Sequence, residues 1–282
     1  MNFFDAVLQA VNTLVQQNLG VFDGMGQNLF RAFATILVVW YGIKAGLAAG
    51  EHRGGFHFAN FVTLILMISF GFAMTRYYDA PIPGFGRDFH HLITDESATL
   101  SNQIGQANAQ RIADDTQYVL DNLEAPAITQ PIATFLYALL WIGAVVTEAL
   151  ALIVVAFGVV ATAVCILLGP VFIPFFIVPQ LDWLFWGWLK AFIQYSFYQV
   201  VAAAVLYIVS QFTFGIIHAQ ITGLVSPTDL IRISPVLVVT YLAAVYAIVK
   251  VPMLTSHIFS GTSGGSSVNV FDTISRAIGA AL

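Results

Sequence analysis

The sequence predicts an all-α fold: a polytopic membrane helix bundle of about five spans, with a Pro-rich re-entrant elbow and a helical loop outside the bilayer. Three observations carry this prediction. Hydrophobic residues make up 59% of the chain and charged residues 9%, against about 25% charged in soluble domains, so most of the surface is unsuited to water. Long apolar runs recur, and the longest, 131–168, holds one charge, Glu148; a helix needs about 20 apolar residues to cross a hydrocarbon core of roughly 30 Å. Between that run and the next stands Gly169-Pro170-Val171-Phe172-Ile173-Pro174, closed by Pro179. Residues 171–178 would reach only about 12 Å as a helix, too short to cross, and Pro174 and Pro179 each remove a backbone donor. Gly169, Pro170, Pro174 and Pro179 therefore define an elbow that dips in and turns back, its non-helical backbone covered by other helices.

Residues 1–27 form an amphipathic N-terminal helix, in which Phe3, Phe4, Val7, Leu8, Val11, Leu14 and Val15 recur at helical spacing against Asn2, Asp5, Gln9, Asn12 and Gln16. It holds no cationic residue, which favours a protein partner over lipid headgroups, with packing on its own subunit as the equal alternative, and no cleaved signal peptide is read in it. Gly20, Gly24 and Gly26 mark a hinge. Residues 28–75 hold spans one and two, at 28–50 and 56–75. Gly42, Gly46 and Gly50, four apart, make a helix-packing face, expected to pack inside the subunit, with contact between copies as the alternative. Glu51, His52 and His57 in the intervening Gly-rich turn have poor ligand spacing, so no metal is assigned.

Residues 76–130 form an acidic helical loop, with three basic residues against eight acidic ones, a balance equal to the whole formal net charge of −5. Pro81, Pro83, Gly84 and Gly86 turn the chain. Ile93, Leu100, Ile104, Ile112, Val119 and Leu123 then give one or two helices an apolar side that a small loop cannot bury alone, making these six the candidates for docking a partner. Thr94 is the expected N-cap, Pro126 the stop, and His90 and His91 are read as solvated.

Residues 131–259 carry spans three to five, with the elbow at 169–179. As one helix, the 38 residues of 131–168 would extend about 57 Å, so that run must tilt, protrude or break. Glu148 shares a face with Thr134, Tyr137, Trp141, Ala144, Ala151, Val155 and Thr162. An ionisable group in a span faces a bundle interior or water, so Glu148, Thr162 and, on span four, Gln199 are pore or bundle-interior candidates; a hydrogen-bonded acid at a helix interface is the other reading of Glu148. Trp183, Trp186 and Trp188 read as an interfacial belt, with Lys190 snorkelling. Within 189–217, Tyr195, Gln199, Ala202, Ser210 and Thr213 form a polar stripe, interrupted by Leu206, suited to bonding neighbouring helices. Residues 218–234 form a polar turn, 235–251 the fifth span, and 260–282 a Gly/Ser linker with a short amphipathic tail.

Composition also excludes functions. With no basic cluster in a chain of net charge −5, direct sequence-specific nucleic-acid binding is not expected. One cysteine, Cys165, forbids an internal disulfide framework. No Ser/His, paired-Asp or His-Glu-x-x-His constellation occurs, and no cofactor is called for. Five spans place the termini on opposite faces. Basic residues divide five to five between those faces, and setting aside Arg111, which lies inside a long loop, favours an outside N-terminus.

Two spans, a polar loop, a long span, the elbow Gly169-Pro170-Val171-Phe172-Ile173 followed by Trp188-Leu189, and a last span ending in Val251-Pro252-Met253-Leu254 are similar to the TrbL-like polytopic inner-membrane subunit of type IV secretion and conjugation systems. The resemblance covers roughly residues 28–260, and its C-terminal tail is brief for the family. It implies a non-enzymatic channel or assembly-platform component of the bacterial inner membrane that supports pilus or stalk assembly and DNA or protein translocation. It also implies a homo-oligomer, a pentamer, with a periplasmic N-terminus and central loop, a cytoplasmic C-terminus, and a minor pilin or stalk protein and other inner-membrane subunits as partners besides the lipid bilayer. The competing class is a stand-alone secondary transporter or channel with Glu148 as coupling site. The elbow suits a transporter, but the first half of the chain holds no repeat partner for it.

Overall fold

The computed structural model describes residues 3–50, 58–101, 107–127 and 130–260. Among them the elements are helical and no strand occurs: α1 (Phe3–Gly50), α2 (Phe58–Arg76), α3 (Phe89–Ser101), α4 (Ala107–Asn122), α5 (Pro131–Phe172), a 3₁₀ turn (Ile173–Ile177), α6 (Asp182–Gln220), α7 (Pro227–Val249) and α8 (Val251–Ser260). Five helical stretches are long and apolar enough to cross a bilayer: Ala6–Leu47, Phe58–Arg76, Pro131–Ile177, Asp182–Gln220 and Pro227–Phe259. The chain is an all-α, multi-pass membrane protein. The turn with His52 and His57, Ile104, and the tail beyond Ser260 lie outside the described residues.

Helix boundaries depart from the sequence reading in four places, each with a local cause. Gly20, Gly24 and Gly26 do not make a hinge, because α1 runs unbroken for 48 residues. A glycine costs a helix about 1 kcal/mol relative to alanine, and packing along the whole length offsets that: Leu8 and Val11 rest on the core of α5, α6 and α7, while Leu19 and Phe30 join the core at the elbow. The elbow is helical where open backbone was expected, since α5 passes through Gly169 and Pro170 and tightens into the 3₁₀ turn, leaving the reversal to residues 178–181. Of the outcomes open to the long third run, breaking is the one not taken: it is one helix of 42 residues.

The third departure is α3, which starts at Phe89. Asp88 caps it, its Oδ1 accepting the His91 N–H at 2.9 Å, and Thr94 instead sits one turn inside, donating to the His90 carbonyl. Upstream, Gly84 (φ +88°) and Gly86 (φ +68°) adopt left-handed backbone that a side chain would disfavour, confirming the turn there. Lastly, most of 218–234 is helix. α6 runs to Gln220, and α7 begins at Pro227, capped by Ser226, whose Oγ accepts the Asp229 N–H at 3.3 Å.

Three core clusters follow one another along α5 and α6. At the elbow, Met74, Tyr78, Cys165, Ile173, Phe176, Ile177, Phe185, Trp188 and Phe192 meet. Mid-length, Ala151, Val155 and Val159 face Tyr198, Ala202, Leu206, Ala244 and Ile248. Toward the other end, Leu140 and Ala144 pack with Ile217, Leu237 and Tyr241. Lipid-compatible side chains cover the outside of α5, α6 and α7, among them Ile153, Phe157, Ile208, Phe212, Val239 and Leu242.

Candidate functional site

A proline inside a helix leaves the carbonyl four residues earlier without its N–H partner. Pro170 does this to Ile166, and the vacancy is filled from outside the helix: the Tyr78 hydroxyl donates to the Ile166 carbonyl at 2.7 Å. One residue away, the Trp188 Nε1–H donates to the Cys165 carbonyl at 2.9 Å. Tyr78 is fully buried, and it reaches α5 because Gly169 has no side chain; a Cβ there would collide with the Tyr78 hydroxyl. Gly26 on α1 lies against the Pro170 carbonyl in the same way. Gly71 on α2 accommodates Phe30 and Ile177, and Phe70, Phe176, Phe185 and Trp186 stack edge to face around the turn. The elbow thus joins α1, α2, α5 and α6. Of the three tryptophans read as a belt, Trp183 and Trp186 are exposed, whereas Trp188 is buried as an elbow donor.

Beside the elbow, a cavity of about 390 Å³ lies between the first half of α1, α3, α5 and α6. Its wall includes Asn12, Gln16, Asp79, His90, His91, Thr94, Asp95, Thr162 and Gln199. The structure brings Thr162 and Gln199 together here, and Thr162 also donates across the interface to the Tyr195 carbonyl at 3.0 Å. Glu148 is half-buried and stands apart; 14 residues of α5 separate it from Thr162, about 21 Å along the helix. The solvated reading fits His91 and is corrected for His90. His90 is buried, its Nδ1 donating to the Tyr78 carbonyl at 2.8 Å, and burial lowers its pKa below the ordinary value despite that bond and nearby Asp88. His91 is exposed and donates from Nδ1 to both Asp88 oxygens, at 2.7 and 2.6 Å.

The stripe on α6 bonds a neighbouring helix at Ser210, which donates to Asn108 at 3.1 Å, and at Thr213, which donates to Asp115 at 3.4 Å. Both acceptors are on α4. Asp115 is buried, and that burial raises its carboxyl above the ordinary range, partly countered by His218 and by the Thr213 hydroxyl. α4 is therefore amphipathic in an unplanned sense: its inner side mixes Ile112, Asp115, Thr116, Val119 with polar groups of α6, while Arg111, Asp114, Gln117 and Asp121 face out.

This packing corrects the docking set. Ile112, Val119 and Leu123 are 2%, 0% and 6% exposed, covered by the chain itself because α6 extends far enough to receive α4, and the 221–225 connector closes over its end through Tyr118 and Val225. Ile93 is half-buried in the elbow core, the Leu100 side chain and Ile104 lying outside the described residues. The glycine face is corrected in the opposite direction: a Cβ on Gly42 or Gly46 would meet nothing within 4 Å, so neither packs inside the subunit; the surroundings of Gly50 are not described.

Sequence reasoning missed Tyr78 and Asp88, and it read Trp188 as part of the belt. For Tyr78 a signal existed: a proline within an apolar run implies an orphan carbonyl in a place without water, and Tyr77 and Tyr78, amphipathic hydroxyl donors, stand just after span two. A family model described as TrbL/VirB6 plasmid conjugal transfer protein matches residues 34–251, from the second half of α1 to the start of α8. No curated protein matches the chain.

Proposed function

Since the chain belongs to the TrbL/VirB6 family of plasmid conjugal transfer proteins, and is thus a component of conjugal transfer or type IV secretion machinery, we propose that it acts as a homo-oligomeric channel or assembly platform in the bacterial inner membrane. In this reading it supports pilus or stalk assembly and substrate passage without catalysing a reaction. The N-terminus and 76–130 face the periplasm and the C-terminus the cytoplasm, with a pentamer as the family resemblance implies.

The observation that carries the oligomer is the open face beyond the elbow. There Ile36, Val39, Trp40, Ile43 and Leu47 are exposed beside the uncovered Gly42 and Gly46, and small residues on an apolar helix allow another backbone to approach closely. A stalk protein or minor pilin would dock on the exposed side of α4, at Arg111, Asp114, Gln117 and Asp121, because the apolar side is already occupied. The stand-alone transporter reading draws no support from the cavity, whose wall contains Thr162 and Gln199 and not Glu148.

Two measurements test the proposal. Gly46→Leu should shift the oligomer on a native gel and reduce transfer; an unaltered oligomer with normal transfer would assign that face to lipid. A cysteine at Gln117, in a Cys165→Ser background, should react with an impermeant maleimide in intact spheroplasts. Protection until lysis would place 76–130 in the cytoplasm and overturn the orientation.

A further inference from the structure

The cavity beside the elbow has a wall whose chemistry the secretion role does not use. His90 and His91 open α3, with Asp88 just before them, and the three residues each present a ligand-type atom within 4.8 Å of the others. The bonds made by the two rings are the informative part. His90 Nδ1 lies 2.8 Å from the Tyr78 backbone carbonyl. A carbonyl can only accept, so the proton of a neutral His90 is on Nδ1 and the lone pair is on Nε2. His91 Nδ1 lies 2.6 Å from one oxygen of Asp88 and 2.7 Å from the other, and a carboxylate imposes the same tautomer. Asp88 Oδ1 also lies 3.2 Å from His90 Nδ1, so both rings turn Nδ1 to acceptors and keep Nε2 as the coordinating atom, His90 held by a main-chain carbonyl and the carboxylate, His91 by the carboxylate. These are the two outer-shell partners that orient metal-ligating histidines and raise their basicity.

Three further features fit. Both rings line the polar cavity, and so does the carboxylate-bearing Asp79, contributed by the segment that follows α2. The His90 side chain is 6% exposed, so its orientation is fixed by packing as well as by its hydrogen bond. The ring centroids of His90 and His91 are 4.1 Å apart, which brings the two imidazoles to one place. Asp95 also lines the cavity, but it faces Arg87 at 3.9 Å and is better explained by that pairing.

We propose that His90 and His91 bind one divalent transition-metal ion of the zinc class through Nε2, with Asp88 orienting His91, and Asp79 and water completing the coordination. Imidazole nitrogens with one carboxylate and open positions suit zinc, cobalt or nickel and not magnesium or calcium, which prefer oxygen ligands. The ion would tie the loop after α2 to α3, two pieces that the Tyr77 and Tyr78 carbonyls already join by accepting from Phe89 and His90.

The test uses the full chain, purified in detergent, stripped with a chelator and titrated with Zn²⁺ and Co²⁺. The expected result is about one equivalent per chain and, with Co²⁺, visible absorption bands displaced by Zn²⁺. His91→Gln, at a half-exposed position that leaves the core intact, should remove that binding, and Asp88→Asn should weaken it by about 10- to 100-fold. His90→Gln should also remove it, but because His90 is buried, the first two variants decide the matter. Wild-type protein that binds no metal at micromolar concentration would overturn the proposal. So would binding unchanged in His91→Gln, which would place the ion elsewhere.

Discussion

If the Tyr78 hydroxyl exists to satisfy the carbonyl that Pro170 orphans, its worth must depend on that proline. Tyr78→Phe keeps the ring against Trp188 and His90 and removes only the donor to Ile166. A buried carbonyl left without a partner costs about 1–3 kcal/mol, whereas a hydrogen bond whose acceptor has another donor contributes about 0.5 kcal/mol net. Pro170→Ala supplies that other donor, because residue 170 regains an N–H directed at the Ile166 carbonyl. Tyr78→Phe should therefore destabilise the natural protein by about 1–2 kcal/mol and the Pro170→Ala protein by about 0.5 kcal/mol. The coupling is about 1 kcal/mol, roughly a fivefold change in the unfolding equilibrium and within reach of a double-mutant cycle. Unfolding in mixed micelles, followed by tryptophan fluorescence, to which Trp183, Trp186 and Trp188 near the elbow contribute, would measure it. Equal costs in the two backgrounds would refute the reasoning, since the hydroxyl would then be acting independently of the missing N–H.

Two other outcomes follow from the packing. Gly26→Ala places a Cβ on the Pro170 carbonyl while Gly20→Ala places one in open space; the first should lose about 1–3 kcal/mol and the second gain about 0.5–1 kcal/mol through helix propensity, and matching effects in the same unfolding assay would deny that α1 seats on the elbow. Asp115, its carboxyl raised above 3.8 by burial, binds its proton more tightly folded than unfolded, so it contributes a stability that falls as pH rises above that ordinary value through the raised one. Asp115→Asn should accordingly be the more stable protein near about pH 7, with the gap to the natural protein closing as pH falls toward about 4; a gap independent of pH would mean that the carboxyl is not desolvated.

Spans, elbow position and polar loop were legible because each is written in local composition: apolar runs long enough to cross, prolines too closely spaced for a crossing, and an acidic stretch between them. The path of α1 was not legible, because Gly20, Gly24 and Gly26 look alike in sequence and only the third meets another backbone. The apolar periodicity of Ile112, Val119 and Leu123 read as a side awaiting a partner, because periodicity shows that a face needs cover and cannot say what supplies it. The answer depended on α6 extending to Gln220, and the polar pairs Ser210 with Asn108 and Thr213 with Asp115 are separated by 102 and 98 residues. His90 read as solvated because it lies in a polar segment; it is buried because the segment folds back so that the Phe89 N–H reaches the Tyr77 carbonyl at 2.9 Å.

Two prolines inside long helices show how differently the same defect is repaired. Pro235 in α7 frees the Ile231 carbonyl, and Ser234, its immediate neighbour, donates a hydroxyl to it at 3.2 Å; that repair is complete once the helix exists. Pro170 is repaired by a residue 88 positions away, so α5 has its full set of bonds only when the segment after α2 has docked. The same residue faces the cavity wall with its other polar group, its backbone carbonyl accepting from His90. Tyr78 therefore links elbow and cavity through two bonds on opposite ends of one side chain and main chain. Because the ring is fully buried and Gly169 leaves no slack around the hydroxyl, a displacement of α3 that carries the Tyr78 backbone with it must also move the hydroxyl at Ile166, and with it the helix that leads into the turn.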